Sequence, residues 1–441
     1  MFKTFINAFK IKEVRTRILF TFAMLVVIRI GSQLPIPGVN REYFSEWFKQ
    51  LGAGDSMGFL DAFTGGSFTN MSILALNITP YITSSIIMQL LTIAIPKLEE
   101  MNKEEDGRKR IASITRYVTV GLALIESAAM ALSFGNKGLL DAANVNALNY
   151  IAIITTLTAG SAFLMWVGEQ ITEKGVGNGI SIVLVINIVS RMPADIKGLY
   201  DQFVGGAGNV GKAVVAGLII LAIIIGTVIL VVLLNGGTRK IPVQYAKKVQ
   251  GSRMMGGNNS NIPLKVNTAG VIPIIFASSF MQFPVVICQL LGLGNGTGIG
   301  SKILKVLQSN YWCNPEYPKY SVGLIVYVVL VVFFAYFYTA ITFNPMLISD
   351  NIKKSGGFIP GIRPGKPTTE YLNNVLNYVI FMGAIGLIIV AVIPIFFNGM
   401  FKADVSFGGT SLIIIVSVIL ETLKQIETLM LERNYKGFLN A

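Results

Sequence analysis

Long apolar stretches recur about ten times along this chain of 441 residues. A helix needs ~17 to 25 mostly apolar residues to cross the hydrocarbon core of a membrane. Charged residues make up only 13% of the chain, well below the roughly 25% that is typical of soluble domains. The pattern therefore predicts an all-α polytopic membrane protein with ten transmembrane helices, of which the fifth is short. The predicted spans are Ile18 to Leu34, Asn70 to Ile95, Tyr117 to Phe134, Tyr150 to Val167, Ile180 to Met192, Ala213 to Leu234, Ala269 to Leu293, Val322 to Phe343, Val375 to Phe397 and Thr410 to Ile426.

The basic residues are concentrated in alternate connections between these spans. With charges at frayed span ends counted in the adjoining connection, the two termini and the even-numbered connections hold 25 of the 36 Lys and Arg residues. The odd-numbered connections hold 10. Because loops rich in Lys and Arg stay on the cytoplasmic side of a membrane, we expect both termini to be cytoplasmic.

Several kinds of chemistry are excluded by residues that the chain lacks. It contains no histidine, which excludes His-based catalytic triads and the HExxH zinc site. No GxxxxGK[ST] motif occurs, so any nucleotide-driven work must come from a partner. Cys288 and Cys313 are the only two cysteines, too few for a disulfide framework. We therefore expect no enzyme activity, no cofactor and no metal site.

A glycine-rich stretch, Val204 to Lys212, divides the predicted spans five and five. An odd number of spans in each half gives the halves, residues 1–203 and 204–441, opposite orientations in the membrane. This is the arrangement of an inverted repeat, in which the functional site lies near mid-membrane between the halves. The parity predicts two inverted five-helix halves around a central pore.

The segment of residues 39–69, between the first two spans, is too polar to cross a membrane but carries several large apolar side chains. Irregular backbone is tolerated at membrane depth where it is buried in protein or lines a cavity. The composition favours a segment that folds back into a cavity, and a loop on the outer surface is the alternative. A Gly-rich run, Gly175 to Gly179, precedes the short fifth span and likewise points to a central pathway.

Arg29 and Glu126 are the charges that lie deepest in the apolar spans. An unpaired charge at the centre of a membrane helix costs ~2.5 to 3.5 kcal/mol on insertion scales. Our hypothesis is that the two side chains pair or face the interior. The alternative is that Arg29 extends its long side chain to the outer interface.

Two even-numbered connections, residues 235–267 and 345–372, are unusually long and basic. The first carries six basic residues and no acid, and Pro360, Pro364 and Pro367 limit the freedom of the second. Basic loops can simply obey the orientation rule. Their length and preset shape nevertheless favour the docking of a large anionic partner, for which a ribosome or an acidic motor is suitable.

Short motifs are spread over nearly the whole chain: Pro35–Gly38, Pro80–Ile82, Gly168–Glu173, Gly177–Ser181, Pro263–Asn267, Ala269–Pro273, Phe358–Pro364 and Gly408–Leu412. In sequence and in order they resemble the SecY family of protein-conducting channels. The resemblance implies a channel in the cytoplasmic (inner) membrane that translocates unfolded polypeptides and releases transmembrane segments sideways into lipid.

The resemblance also implies roles for particular residues. It implies a pore ring of aliphatic side chains at Ile78, Ile82, Ile180, Leu184, Ile275 and Ile414. It implies a plug within residues 39–69, with the apolar side chains Phe59, Leu60, Phe63 and Phe68. It implies a lateral gate between the second and seventh spans, for which Thr83 and Gln282 are candidates.

The partners that the resemblance implies are the SecA motor, the ribosome, the small membrane subunits SecE and SecG, and signal sequences of the transported polypeptides. The implied partner-binding residues are Arg239, Lys247, Lys248, Arg253 and Arg363. A secondary transporter of a small solute is the alternative, because it would also show inverted halves and broken helices. Such a transporter needs ionisable groups within the membrane, where only Arg29 and Glu126 qualify.

Overall fold

The structure is a computed structural model, and it describes residues 9–40, 43–44, 46, 64–136, 146–205, 210–245, 249–250, 253–254, 259–290, 299–315, 318–401 and 409–439. The helices are α1 (Lys12–Gly31), α2 (Thr79–Ala94), α3 (Pro96–Lys103), α4 (Glu105–Asn136), α5 (Ala147–Lys174), α6 (Gly179–Leu199), α7 (Val210–Gly236), α8 (Ile272–Leu290), α9 (Ile299–Leu307), α10 (Val322–Thr342), α11 (Pro345–Lys354), α12 (Lys366–Phe401) and α13 (Gly409–Leu439). The strands are β1 (Thr238–Tyr245), β2 (Val249–Gln250), β3 (Arg253–Met254), β4 (Asn259–Lys265) and β5 (Gly357–Phe358).

Six helical segments among the described residues are long and apolar enough to cross a membrane. There are seven if α2 and α3, which meet at an angle of 103°, count as one span. The six are Glu105–Gly135, Ala147–Lys174, Gly179–Gly205, Gly217–Gly236, Pro318–Lys354 and Lys366–Ile393. The other predicted spans overlap α1, α2, α8 and α13. The prediction of a mostly helical, multi-pass membrane protein is therefore confirmed in this coarse form.

The second predicted span begins too early. Residues 70–78 form consecutive turns, and α2 starts only at Thr79. Met71 and Asn77 have φ values of 45° and 53°, which lie in the left-handed region and do not fit a right-handed helix. This stretch is apolar because it is buried in protein rather than because it crosses lipid as a helix.

The prediction of a short fifth span is wrong. Helix α6 runs from Gly179 to Leu199 and continues as a turn of π-helix, Tyr200–Gly205. Beyond the apolar part, the Arg191 guanidinium lies 3.7 Å from the Asp195 carboxylate one turn later. Spacing of i and i+4 places these charges on one helix face, where they compensate each other.

Neighbouring helices in the chain pack on one another in each part of the molecule. In the N-terminal part α4 contacts α2, α3 and α5, and α5 contacts α6. In the C-terminal part α8 packs on α10, and α12 on α7, α10 and α13. The contacts of α6 with α13 and of α4 with α8 join the two parts. A central hydrophobic core, with buried side chains from both parts, lies where they meet.

The chain is not all-α, because two basic connections form a small sheet. Strand β1 pairs antiparallel with β4, with Thr238 opposite Lys265, and also with β5, with Gln244 opposite Phe358. Ile241 and Val243 are buried on one face while their neighbours along β1 are exposed. Alternation of this kind is typical of a sheet that is packed on one side. The sheet therefore joins two connections that are separate in sequence into one unit, which we call the basic sheet (residues 238–245, 259–265 and 345–366).

Candidate functional site

The six predicted ring residues all belong to the central core or pack against it. Ile78, Leu184 and Ile414 are members of this core, with side chains no more than 4% exposed. Ile82, Ile180 and Ile275 are partly buried and pack against it. The six are contributed by the start of α2, by α6, by α8 and by α13. Their role as a constriction stays a prediction, and we call them the aliphatic ring.

Glycines allow α5 and α6 to approach closely enough to place Ile180. A Cβ atom on Gly179 would lie 1.9 Å from the carbonyl oxygen of Gly168, so only glycine fits there. A Cβ on Gly168 would lie 3.2 Å from Ile180 and 3.6 Å from Ile78. The side chain of Asn178 caps α6 by accepting from the backbone N–H groups of its first turn. The local sequence thus fixes where α6 starts and which way its first side chains point.

Aliphatic side chains give this centre a simple chemistry. They form no directional bonds, so they can pack against any apolar or polar chain segment without selecting it. A narrow apolar constriction also excludes water and ions by dewetting. Among the described residues no cluster of His, Cys, Asp or Glu could hold a metal ion.

An irregular segment, residues 64–78, leads into the aliphatic ring. The ring of Phe68 lies 5.7 Å from that of Phe44, edge to face, in a second hydrophobic cluster beside α4 and α5. The backbone N–H of Ile36 donates to Met71 O at 2.9 Å, so the segment pairs with the chain that follows α1. Of the predicted plug side chains, Phe68 is buried, whereas Phe59, Leu60 and Phe63 lie outside the described residues.

Buried polar contacts join this segment to α5 and α6. Asn187 Nδ2 donates to Asn77 Oδ1 at 3.0 Å, and Ser161 Oγ donates to the Asn77 backbone carbonyl at 3.1 Å. Ser190 Oγ donates to Gly65 O at 3.3 Å. The sequence interpretation did not single out this amide pair. An asparagine within the apolar stretch of α6 was the available signal, since a polar side chain in a membrane helix usually has a specific partner.

The predicted gate residues lie on α2 and α8. Thr83 donates to Thr79 O of its own helix at 3.1 Å. Gln282 is 8% exposed, and its Oε1 atom has no hydrogen-bond partner among the described residues. Among the described residues, no hydrogen bond joins the side chains of Thr83 and Gln282.

The predicted pairing of Arg29 with Glu126 is not seen, because no ion pair joins them among the described residues. Arg29 instead borders an apolar groove between α1 and α6, where its Nη1 atom is buried without a hydrogen-bond partner among those residues. Both cysteines are free thiols. Burial raises the pKa of the Cys313 thiol, which lies between the apolar helices α8 and α10 in sequence.

The basic sheet exposes most of the charge that the sequence concentrates there. Seven basic side chains of this unit are exposed, compared with two exposed acids, Asp350 and Glu370, within or directly beside it. The seven are Arg239, Lys240, Lys265, Lys353, Lys354, Arg363 and Lys366. Lys247 and Lys248 lie outside the described residues, and only the backbone of Arg253, in β3, is described.

The turn that carries Arg363 is held by its own hydrogen bonds. Thr368 Oγ1 donates to the backbone carbonyl of Arg363 at 2.8 Å, and Ser349 Oγ donates to Gly365 O at 3.0 Å. The guanidinium is therefore presented to solvent from a fixed backbone.

Comparison with known proteins identifies the family. The family model named SecY matches residues 72–423. The chain belongs to the SecY family. A protein translocase subunit SecY of Halalkalibacterium halodurans is 42% identical over 450 residues and covers 100% of both chains.

Two solved structures share the fold of this SecY-family chain. A protein-conducting channel superposes with a TM-score of 0.64 at 17% identity, covering 94% of this chain and 92% of the other. Sec61 in a canine ribosome–channel complex from the endoplasmic reticulum superposes with a TM-score of 0.59 at 16% identity, over 94% and 92% of the two chains. Two of the SecY-family motifs found in the sequence lie at structural junctions, since Asn178 caps α6 and Asn267 follows β4.

Proposed function

We propose that this chain is the pore-forming subunit of a protein translocase. It conducts unfolded polypeptides across the cytoplasmic membrane and releases transmembrane segments sideways into lipid. The observation that carries the proposal is that six aliphatic side chains, from four separate elements, belong to or pack against one core of a SecY-family chain. Such a centre suits a substrate that has no fixed sequence, because it offers no group that selects one side chain over another.

The proposed membrane arrangement has ten spans in two inverted halves, residues 1–203 and 204–441. Both termini lie in the cytoplasm, because the termini and even-numbered connections hold 25 of the 36 basic residues. The basic sheet then faces the cytoplasm as well. The segment of residues 64–78 approaches the aliphatic ring from the opposite side.

The idle channel is closed by two layers in this proposal. The aliphatic ring excludes water by dewetting, and residues 39–69 act as a plug on the outer side. The bond of Ser190 to Gly65 supports this role, because it ties the described end of the plug to α6, and the buried bond of Asn187 to Asn77 holds the segment that follows the plug. These bonds are few, so a passing chain can displace the segment.

The lateral gate is proposed to lie between α2 and α8, with Thr83 and Gln282 at the seam. Gln282 is buried, and its carbonyl oxygen has no hydrogen-bond partner within the part of the chain that the structure describes, which costs free energy in the closed state. A closed state that is only marginally stable allows an apolar signal segment to compete for the seam.

The basic sheet is the proposed docking surface for the SecA motor or for the ribosome. Its seven exposed cations suit acidic protein surfaces and RNA phosphates alike. Arg363 is proposed as a main contact for SecA, and Arg239, Lys247, Lys248 and Arg253 as contacts on the other loop. SecE and SecG are proposed as the small membrane subunits of the complex, and no cofactor is required.

A reconstitution tests this function. The chain is placed in lipid vesicles with SecE and SecG, and SecA, ATP and a signal-bearing polypeptide are added outside. We expect the polypeptide to become protected from added protease only when ATP is present. Flux of a small solute without polypeptide transport would favour the secondary transporter and overturn the proposal.

A further inference from the structure

Three hydrogen-bonded side chains join the β1–β4 hairpin to helix α13. They start at the base of the hairpin, residues 235–237 and 266–267, which we call its foot. Asn267 Nδ2 donates to Asn235 Oδ1 at 2.8 Å, and Asn235 Nδ2 donates to Ser417 Oγ at 2.6 Å. Asn235 lies in the last turn of α7, just before the hairpin, and Asn267 follows the last strand of the hairpin. The contacts are at least partly buried. Asn267 is 6% exposed, so its amide has little access to water as an alternative partner.

The hairpin above this foot is a continuous ladder. The pairing of Thr238 with Lys265 is extended by one more backbone bond, in which Val266 N donates to Gly237 O at 2.9 Å. At the far end of β1, the pairing with β5 ties the hairpin to the turn that carries Arg363. Helix α12 closes in on the foot from one side, since a Cβ on Gly383 would lie 2.3 Å from Val266 O. Continuous backbone pairing therefore connects the basic sheet to its foot.

The foot is connected to elements that carry the aliphatic ring. Ser417 lies three residues after Ile414 on α13, which is about one helical turn. Asn267 precedes α8, which carries Ile275. The hydrogen-bond chain thus lies between the basic sheet and two elements of the ring.

We propose that Asn235, Asn267 and Ser417 form a polar clasp that transmits the docking of a partner on the basic sheet to the aliphatic ring. The inference rests on the proposed function and assigns positioning residues to it. Apolar contacts alone would let the end of α7, from which the hairpin starts, shift along α13, because they have no preferred direction. Directional hydrogen bonds instead hold one defined arrangement, and they move α13 when the hairpin moves.

The clasp is tested in the full reconstituted complex with single variants that leave the docking cations in place. We expect Ser417→Ala and Asn267→Leu to bind SecA as tightly as the unaltered chain. At saturating SecA their initial rate of polypeptide translocation should fall about two- to tenfold, the range for loss of one hydrogen bond. Ser417→Thr keeps the hydroxyl and should restore the rate. Thr428→Ala removes an exposed hydroxyl that bonds Lys424 O of the same helix, and it should change nothing.

A second readout follows the ring itself. In a Cys288→Ser, Cys313→Ser background, Ile414→Cys is labelled with a maleimide with and without SecA. Docking should accelerate labelling when the clasp is intact and should fail to do so with Ser417→Ala. Because both variants act through Asn235, combining Asn267→Leu with Ser417→Ala should cost less than the sum of the single effects.

Three results would overturn the clasp. One is translocation at the normal rate by both single variants, and another is a loss of SecA affinity that parallels the loss of transport, since the residues would then only shape the docking surface. The third is SecA-accelerated labelling that persists with Ser417→Ala. A complex that moves no polypeptide would refute the proposed function instead, and the labelling readout would still decide on the clasp.

Discussion

The central core and the basic sheet differ in the side chains that they present. In the core, aliphatic side chains from several elements face one another, and the ring residues present no charge. In the basic sheet, apolar side chains pack the strands against α12, while seven cations of the strands, α11 and the following turn are exposed. A centre without directional groups cannot recognise its substrate, so recognition and drive are expected at the charged surface. The difference indicates that sealing and docking are separate tasks, which single substitutions can separate.

The largest effect is expected for charge reversal on the basic sheet. Arg363→Glu should abolish SecA-driven translocation, at least about a tenfold loss, because it places like charge against an acidic partner. The side chain is exposed and its turn is held by backbone bonds, so the protein should fold normally. Translocation into vesicles measures the loss.

The matched control for this reversal is Lys319→Glu, which changes an exposed cation far from the basic sheet in sequence. It should translocate at the normal rate. Normal transport by Arg363→Glu would remove the assignment of docking to this turn.

The next effect is expected in the core. Ile414→Asn places an amide where the side chain is 1% exposed and surrounded by aliphatic groups. A buried amide without a partner costs about 1 to 3 kcal/mol, and it also attracts water into the constriction. We expect the ion conductance of the idle channel to rise about tenfold while SecA affinity stays unchanged.

Leu184→Ile is the control for this experiment, because it keeps the volume and the apolar character of the ring. Its idle conductance should match that of the unaltered chain. If the idle conductance of Ile414→Asn matched that of the control, the aliphatic ring would not be the seal.

The smallest effect is expected beneath the sheet. Ile241 is 2% exposed, and Ile241→Ala should destabilise the hairpin locally by about 2 to 5 kcal/mol. We expect SecA affinity to fall several-fold without any change in idle conductance. Ile241→Val removes one methyl group, and its SecA affinity should lie between those of Ile241→Ala and the unaltered chain. A rise in idle conductance with Ile241→Ala would show that the basic sheet supports the seal even without a docked partner.

Hydropathy predicted most of the helices because the membrane imposes a simple rule. Backbone groups in lipid must bond internally, so long apolar stretches become helices. The rule failed where apolar residues are buried in protein instead. Residues 70–78 form turns. Helix α6 continues beyond Met192, where the charged side chains of Arg191 and Asp195 pair, although their low hydropathy predicts the end of the span. In both places protein neighbours, rather than lipid, set the local structure.

Much less of the candidate site could be read from the residues alone. The six ring positions are ordinary aliphatic residues of membrane helices, and they were assigned through the family resemblance. No local signal shows that Gln244 pairs with Phe358 across more than a hundred residues. The amide contacts of Asn77 with Asn187, and of Asn235 with Asn267, depend equally on distant partners.

The sequence by itself determined that this chain is a membrane protein and which connections carry its positive charge. Both are sums over many residues, since hydrophobic transfer and loop charge act locally and add along the chain. Only the tertiary structure decided which aliphatic residues meet, which loops form one sheet and which amides bond. Those outcomes depend on directional contacts between residues far apart in sequence, whose partners exist only after the helices have packed.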